Sequence, residues 1–414
     1  MTLPTPALAP YHPSQPEPSP PLRVWAASDI PTTAEDAIPA SEVLPPPEGG
    51  STLPRIILGC APFGYGIYAD KGAVEGVEPV RLVRAALRAG VNAFDTAPWY
   101  HPSEIVLGNA LDTLKAEFPR DSYTLITKVC KFGPTIKHHV YEPAAVKASV
   151  ERSLRRLKTA YLDVVYLHDV EFAAAGPFPV PAGLPLASLS AGTEGLSPPY
   201  VSLGPGDDAV LASLAALREL QAEGKIKRVG IAGYTLPVLL RLALLVLHTT
   251  GRPLDLVQSY SHQTLQNSAL GDGYLAALND SARVAQVVNA APLSMGLLTR
   301  SGGPEWHPAR SVPKLHPAVA EAAELAAARG TSIEAVSIAF GYKELQQADG
   351  AVVPVVVGCT NLAQLHQTLQ TFHDINSGAD AERDAVAAEV VELFKQRGVH
   401  NYSWQSPGPG SFDK

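Results

Sequence analysis

The chain has 414 residues, 46% of them hydrophobic, which is enough for one large α/β domain or two ordinary ones with a sizeable core. Its 32 Lys and Arg residues stand against 40 Asp and Glu residues, and the absence of a basic cluster argues against nucleic acid or an anionic membrane as the main partner. No segment reaches about 18 uninterrupted apolar residues, so we expect a cytoplasmic protein that acts on a small molecule.

The three cysteines, Cys60, Cys130 and Cys359, are far apart in the sequence. They form neither a disulfide framework nor the paired spacing of a zinc site. The adjacent His138 and His139 are interpreted as solvated surface residues, and the scattered histidines offer no convincing set of metal ligands. We therefore expect a protein of a reducing compartment that needs no metal.

Two Pro-rich segments differ from the rest of the chain. Residues 1–50 contain 13 prolines and few bulky aliphatic side chains, so they cannot bury enough surface to offset chain entropy, and we expect a flexible tail. Residues 173–207, from AAAGPFPVPAG to LGPGDD, have a similar composition, which is typical of a long inserted loop. This insertion is expected to be either a lid over the site or a solvated excursion, within a catalytic domain that spans residues 51–414.

Short apolar runs alternate with patterns of helical period along the remaining chain. The predicted strands are RIILGC (55–60), AFDTA (93–97), YTLITKV (123–129), LDVVYLH (162–168), RVGIAG (228–233), LDLVQSY (254–260), VAQVVNA (284–290) and PVVVGC (354–359). Apolar residues at three- and four-residue intervals predict helices over 79–90, 104–117, 144–158, 209–225 and 316–330.

Eight strands, nearly all followed by a helix, predict a closed (β/α)8 TIM barrel. A doubly wound sheet is the rival architecture. Such a sheet usually carries a G-x-G-x-x-G turn after its first strand, and the corresponding LGCAPFGYG does not match that pattern. The pattern therefore favours the barrel.

Polar residues fall at the C-terminal ends of the predicted strands, where the loops of such a barrel form the active site. Asp95, Lys128 and His168 close the second, third and fourth strands, and Tyr100 follows the second strand in its loop. Each residue alone has an ordinary structural interpretation, as a cap, a solvated charge or a core side chain. The four together at one rim predict a catalytic centre.

Tyr100 is the predicted acid–base group. A free tyrosine has a pKa near 10, so its use near neutral pH requires the phenolate to be stabilised by roughly a few kcal/mol. We expect the Lys128 ammonium to supply that stabilisation and Asp95 to hold the lysine charged and in place. His168 is expected to hydrogen-bond the reacting oxygen and orient the substrate.

The segments FDTAPWYHPSEIVLGNAL, LITKV and YLHD resemble the signatures of the aldo-keto reductases, and the resemblance runs from about residue 54 to 370. It implies a TIM barrel, a nicotinamide cofactor and a tetrad of Asp95, Tyr100, Lys128 and His168. The segments HDVEF, GIAGYTL, VQSYSH, APLSMGLLTRSGGPEWHPA and NYSWQSPG further resemble the branch of L-galactose and D-arabinose dehydrogenases, which oxidise a sugar at its anomeric carbon to a lactone.

The same resemblance implies the cofactor contacts. These are Gln258 for the carboxamide, Pro292, Leu293, Ser294, Gly296 and Leu297 in a pyrophosphate loop, and Gly358, Cys359, Thr360, Asn361 and Gln364 for the adenosine. The chain departs from the family at Ala232 and Gly233, where many members have Ser-Asn, and at Ala290, where a tyrosine usually stacks on the nicotinamide. Trp99, Tyr260, His262 and Trp306 are candidates for the sugar-binding wall, with core packing as the alternative for each.

The cofactor preference follows from charge. A 2′-phosphate needs a cation near the adenosine ribose, and residues 352–370 contain no Arg or Lys, which predicts NAD over NADP. We therefore expect oxidation of an aldose of the D-arabinose, L-galactose or L-fucose type to its 1,4- or 1,5-lactone. The alternatives are an NADPH-dependent aldehyde or ketone reductase and a cofactor-binding scaffold subunit with incidental turnover. A monomer or a homodimer is expected.

Overall fold

The computed structural model describes residues 11–14, 17, 21–46, 53–66, 68–174, 184–190, 195–343, 345–378 and 381–404. Within these residues eight parallel strands close a barrel in which each strand pairs with the next and β8 pairs with β1. The strands are β1 (Ile56–Gly59), β2 (Ala93–Asp95), β3 (Thr124–Val129), β4 (Leu162–His168), β5 (Ile226–Gly233), β6 (Leu256–Tyr260), β7 (Gln286–Ala290) and β8 (Val355–Gly358). The predicted TIM barrel is confirmed.

Helices surround the strands. They are α1 (Lys71–Glu75), α2 (Glu78–Arg88), α3 (Ser103–Leu114), α4 (Pro143–Arg156), α5 (Pro185–Ser190), α6 (Pro205–Ala222), α7 (Leu236–Thr250), α8 (Leu315–Ala328), α9 (Ile333–Gly341), α10 (Leu362–Asn376) and α11 (Ala381–Gln396). Two π-helical segments, Leu270–Tyr274 and Ala277–Ser281, follow β6. No helix within the described ranges combines the length and the apolarity that crossing a membrane requires.

Alternation along the strands divides the barrel core into two layers. Ile57 of β1, Ile126 of β3 and Val164 of β4 belong to the cluster inside the barrel. Ile56 and Leu58 belong to the cluster that joins the strands to the helices. All five side chains are at most 1% exposed, so the strands are buried on both faces and read as continuous apolar runs in the sequence.

Part of the predicted N-terminal tail, residues 21–46, lies against the barrel, and we call this part the N-terminal strap. The Asp36 carboxylate accepts hydrogen bonds of 2.8 Å from both Arg81 and Arg84 of α2. The backbone amide of Leu44 donates to the carbonyl of Ala89 at 2.8 Å. The expectation of a flexible tail therefore does not extend to these residues, because polar contacts and the buried side chains of Ile30 and Leu44 hold them against the barrel.

The described part of the predicted insertion packs against α7. This helix is buried on all sides from Leu236 to Leu247, so it needs cover on the face turned away from the barrel. Contacts come from α5, from Tyr200, which stacks on His248 at 4.4 Å, and from Asp207, which pairs with Arg241 of α7 at 2.6 Å. Residues 205–207 belong to α6, so the irregular segment is shorter than predicted. Residues 175–183 and 191–194 lie outside the described residues.

The three cysteines are free thiols buried in the protein. Burial raises the pKa of Cys60 and of Cys130 well above the ordinary value for a thiol, and it raises the pKa of Cys359 to about 12. These thiols are therefore protonated and unreactive at neutral pH.

Candidate active site

A cavity of about 710 Å³ opens at the C-terminal ends of the strands. Every strand contributes its last or near-last residue to the wall, namely Gly59, Asp95, Lys128, His168, Gly233, Tyr260, Ala290 and Gly358. The loops that follow the strands add Trp99 and Tyr100. The structure thus brings the four predicted catalytic residues to one cavity, because parallel strands in a closed barrel all end at the same rim.

Asp95 and Lys128 form a buried ion pair at the floor of the cavity. Their side chains are hydrogen-bonded, and the Lys128 ammonium also donates to the carbonyl of Thr96 at 3.2 Å. The second oxygen of Asp95 accepts from the Gln258 amide at 3.0 Å. Asp95 is 4% exposed and Lys128 is 2% exposed, so this network fixes both charges in place away from bulk water.

Tyr100 lies between the lysine and the histidine. Its ring centre is 5.0 Å from the Lys128 ammonium and 5.7 Å from the ring of His168, which meets it edge-on at 83°. Burial raises the pKa of Tyr100 well above its ordinary value of 10, and the carboxylates of Asp95 and Asp169 add to the effect. The expected lowering of this pKa by Lys128 is not found, because burial and the two carboxylates dominate. The phenol of the protein alone is therefore protonated at neutral pH.

His168 is a neutral imidazole in the cavity wall. Burial lowers its pKa well below 6.5, and the ammonium groups of Lys128 and Lys131 lower it further. Its Nδ1 atom is buried and has no hydrogen-bond partner among the described residues. A neutral ring offers one donor and one acceptor, so His168 is equipped to hydrogen-bond an oxygen of a bound molecule.

The cavity wall holds a second ion pair that was not predicted from the sequence. Lys131 donates to Asp169 at 2.6 Å, and both residues line the cavity. Their signal in the sequence is positional, because Lys131 follows Lys128 by three residues and Asp169 follows His168 directly. Tyr68, Tyr234 and Met295 are further lining residues that the sequence analysis did not identify.

The predicted cofactor contacts divide into two groups. Those that line the cavity are Gln258, Pro292, Leu293, Gly296, Gly358, Thr360 and Gln364. The other four have their side chains in structural contacts. Ser294 and Leu297 are fully buried, Cys359 packs near Thr368, and Asn361 caps α10 by accepting from the amide of Gln364 at 3.0 Å.

The residues along the β7 and β8 ends fit a nicotinamide dinucleotide. Ser294, Met295 and Gly296 have successive φ values of 48°, 59° and 82°, which form a tight left-handed turn beside the cavity. With the N-terminus of α10, this turn offers backbone amides suited to a pyrophosphate. The cations among the described lining residues are Lys128 and Lys131, each paired with a carboxylate. The donor set therefore suits phosphates and ribose hydroxyls and includes no unpaired cation for a 2′-phosphate.

Three of the four predicted sugar-binding residues line the cavity, namely Trp99, Tyr260 and Trp306. Trp306 is 49% exposed at the mouth, and its ring centre is 6.4 Å from that of Tyr68. His262 instead lies in the protein interior, where its ring nitrogens are 3.2 Å from the hydroxyls of Ser259 and Ser403. Throughout the described ranges, no group of three or more His, Cys, Asp and Glu residues is arranged to hold a metal ion.

Comparison with known proteins agrees with this geometry. The model of the aldo/keto reductase family matches residues 55–380. The chain is 30% identical over 334 residues to D-arabinose 1-dehydrogenase from Saccharomyces cerevisiae, covering 79% of this chain and 87% of that protein. It is 28% identical over 362 residues to L-galactose dehydrogenase from Arabidopsis thaliana, covering 86% of this chain and 95% of that protein.

The solved structure of a glycerol dehydrogenase from Gluconobacter oxydans has the same fold. It superposes with a TM-score of 0.52 and 22% sequence identity, covering 85% of this chain and 97% of that one. A closed eight-stranded barrel, a cavity that unites Asp95, Tyr100, Lys128 and His168, and a family match over residues 55–380 lead to one conclusion. The chain belongs to the aldo/keto reductase family.

Proposed function

We propose that this protein is an NAD-dependent aldose 1-dehydrogenase, which oxidises an aldose of the D-arabinose, L-galactose or L-fucose type at its anomeric carbon to the lactone. The observation that carries the proposal is the single cavity in which Tyr100, Lys128, Asp95 and His168 meet under an aromatic wall. The similarity to D-arabinose 1-dehydrogenase and L-galactose dehydrogenase over most of the chain supports the sugar class.

In this proposal Tyr100 takes the proton of the anomeric hydroxyl while the hydrogen on the same carbon leaves as hydride. An oxidised nicotinamide, held by the residues at the ends of β7 and β8, would supply the hydride acceptor. His168 donates a hydrogen bond to the anomeric oxygen, which becomes the carbonyl oxygen of the lactone. Lys128 faces the Tyr100 ring at 5.0 Å and supports the phenolate, and Asp95 keeps the lysine in position.

The proton balance sets the expected pH dependence. Burial and nearby carboxylates raise the pKa of Tyr100, so the phenolate required for oxidation becomes more populated as the pH rises. Oxidation is therefore expected to accelerate towards alkaline pH. Reduction of a carbonyl uses the protonated phenol and is expected to be fastest at lower pH.

The preference for NAD rests on charge in the adenosine half of the cavity. Gly358, Thr360 and Gln364 line this half, and the Gln364 side chain accepts from the amide and hydroxyl of Thr360 at 2.8 and 3.0 Å. These groups are neutral and suit ribose hydroxyls. A 2′-phosphate would find no cationic partner here, so NADP is expected to bind more weakly.

A second candidate is NADPH-dependent reduction of an aldehyde or ketone at the same site. The protonated state of Tyr100 in the protein alone favours it, because a phenol with a raised pKa is ready to donate a proton to a carbonyl oxygen.

The proposal of an aldose 1-dehydrogenase further includes a cytoplasmic monomer or homodimer that acts on a free sugar, in keeping with a net charge of −8.

The test is the absorbance of reduced nicotinamide when the purified protein receives D-arabinose, L-galactose, L-fucose or D-glucose, each with NAD or NADP. We expect NAD reduction with the first three sugars and a loss of about 10²- to 10⁴-fold in Tyr100→Phe. Tyr123→Phe removes a hydroxyl from a tyrosine outside the cavity and serves as the matched control. NADPH-driven reduction of simple aldehydes without oxidation of any sugar would replace this proposal with the second candidate.

A further inference from the structure

The cavity contains a second buried ion pair, which the proposed mechanism does not use. Lys131 follows β3 and Asp169 follows β4, and the two residues are each 3% exposed. The Lys131 ammonium donates to Oδ2 of Asp169 at 2.6 Å, and both side chains line the cavity beside His168. Two strand ends thus place an opposite-charge pair next to the reacting centre.

A contribution to stability does not by itself explain this pair. Removing two charges from water is expensive, and well-packed apolar residues of similar volume are often as stable as a buried ion pair. Asp169 also has a φ of 52°, in the left-handed region that non-glycine residues uncommonly adopt, with Asp among the more frequent. Its carboxylate contacts Lys131 in the cavity wall, which points to a role in the site.

The pair retains hydrogen-bonding capacity on its cavity side. Among the described residues, its one side-chain hydrogen bond joins Nζ of Lys131 to Oδ2 of Asp169. Oδ1 of Asp169 is 3.7 Å from Nε2 of His168, beyond hydrogen-bonding distance. An ammonium has three donors and a carboxylate about four acceptor sites, so donors and acceptors remain for a bound molecule.

An aromatic face completes the arrangement. The Lys131 ammonium is 5.4 Å from the ring centre of Trp99, which also lines the cavity. A donor and an acceptor side by side, next to an apolar ring, match a sugar that presents two neighbouring hydroxyls at one edge and C–H groups on one face. One hydroxyl donates to the carboxylate while the next accepts from the ammonium.

We infer that Lys131 and Asp169 form a diol-reading pair that sets the specificity of this site for polyhydroxylated substrates. Because Oδ1 of Asp169 lies 3.7 Å from Nε2 of His168, the hydroxyls that it reads are those nearest the carbon whose oxygen His168 contacts, beginning with the 2-hydroxyl of an aldose. This inference rests on the proposed function. It predicts that a simple aldehyde or a 2-deoxy sugar reacts poorly, because each has the reacting carbon but lacks the 2-hydroxyl.

The test compares D-arabinose with its 2-deoxy analogue in steady-state assays with NAD. The wild-type protein is expected to prefer the parent sugar by about 10- to 100-fold in kcat/KM, the value of a hydrogen bond to a charged group. Lys131→Met and Asp169→Asn are expected to lose that preference, mainly through the KM of the parent sugar. The KM of NAD is expected to stay within a few-fold. Changes in the pKa values of Tyr100 and His168 act on both sugars alike, so the ratio of the two kcat/KM values is the readout.

Two further variants separate this role from a structural one. Asp163→Asn removes a carboxylate that pairs with Arg120 at 2.6 Å near the start of β4, at the opposite end of the barrel, and is expected to leave sugar preference unchanged. The double variant Lys131→Met/Asp169→Asn leaves no lone buried charge, so it keeps the comparison possible if a single variant misfolds. Equal losses for the two sugars in these pair variants would overturn the inference.

The same experiment distinguishes failure of the inference from failure of the proposed function. Quenching of tryptophan fluorescence reports sugar binding independently of turnover, because Trp99 lies beside the pair. If no aldose is oxidised but D-arabinose quenches the wild type and not Asp169→Asn, the inference stands and the proposed activity is wrong. If D-arabinose is neither oxidised nor bound, both are overturned.

Discussion

The N-terminal strap offers a sharp test of how buried charge holds this fold together. Asp36 is 3% exposed and accepts hydrogen bonds from Arg81 and Arg84, whose side chains are 9% and 7% exposed. Asp36→Ala leaves two buried guanidinium groups without the carboxylate that they share. Loss of one partner from a buried pair costs about 3–5 kcal/mol.

The remaining partners set the expected value within that range. Arg81 keeps Glu78 at 2.7 Å, and Arg84 keeps the carbonyl of Pro31 at 2.6 Å. We therefore expect Asp36→Ala to lower the free energy of unfolding by about 3 kcal/mol, the lower end of the range. If the strap detaches instead, the loss of unfolding free energy cannot exceed the energy with which the strap binds the barrel, and residues 21–46 become sensitive to protease.

The assay is urea unfolding combined with limited proteolysis, and the control is an exposed pair of the same kind. Arg88 donates to Glu117 at 2.8 Å, with side chains 38% and 43% exposed, so Glu117→Ala is expected to cost no more than about 1 kcal/mol. Equal effects of the two substitutions, with no new cleavage in the strap, would refute the argument from burial.

The strap pair also has an acid limit. Burial disfavours the charge on Asp36, but hydrogen bonds from Arg81, Thr33 and Arg84 outweigh burial and hold the pKa of this carboxyl well below 3.8. Its contribution is thus present above pH 3.8 and is lost as the pH falls towards the folded-state pKa. The stability difference between the wild type and Asp36→Ala is expected to narrow over that acidic range.

Three further predictions follow from the site and its support. Asp95→Asn removes a carboxylate that raises the pKa of Tyr100, so the pH dependence of sugar oxidation is expected to shift to lower pH in steady-state assays. The free energy of unfolding of the wild type is expected to fall by up to about 1.4 kcal/mol per pH unit between pH 4.5 and 8, since burial raises the pKa of Glu171 to about 8 and only the folded state holds that proton. Glu171→Gln is expected to abolish this fall. Gly108→Ala is expected to destabilise the protein by about 1–3 kcal/mol in urea unfolding, because the added Cβ would lie 2.0 Å from the carbonyl oxygen of Arg156.

Each of these three predictions has a distinct contrary result. An unchanged pH profile in Asp95→Asn would show that the carboxylate does not influence Tyr100. Parallel pH slopes for the wild type and Glu171→Gln would show that Glu171 is ionised in the folded protein at neutral pH. Wild-type stability of Gly108→Ala would show that α3 and α4 separate at little cost.

The barrel was predictable because its strands are buried on both faces. LDVVYLH gives a mostly apolar run over 162–168, and the strand spans those same residues. The tetrad was predictable for a related reason. The C-terminal ends of all strands in a closed parallel barrel lie at one rim, so polar residues at those ends are brought together. Helix α7 was not among the predicted helices because it is apolar on all sides and therefore has no period.

Other features depend on three-dimensional contacts that composition does not show. The strap is held by the carboxylate of Asp36 together with a few buried apolar side chains such as Ile30 and Leu44, so a count of prolines and aliphatic residues could not locate it. The side chains of Ser294 and Asn361 face structural partners because turn and cap geometry direct them. Lys131 and Asp169 meet across two strands, and this pairing exists only once β3 and β4 are side by side.

The burial of Cys60, Cys130 and Cys359 makes the native chain a suitable background for site-specific labelling. A maleimide reacts with the thiolate form, which these three residues scarcely populate at pH 7 because burial raises the pKa of each thiol. A cysteine placed at Val24, which is 49% exposed in the strap, would therefore carry a single fluorophore without removal of the natural thiols. Movement of the strap could then be followed in solution with one reporter.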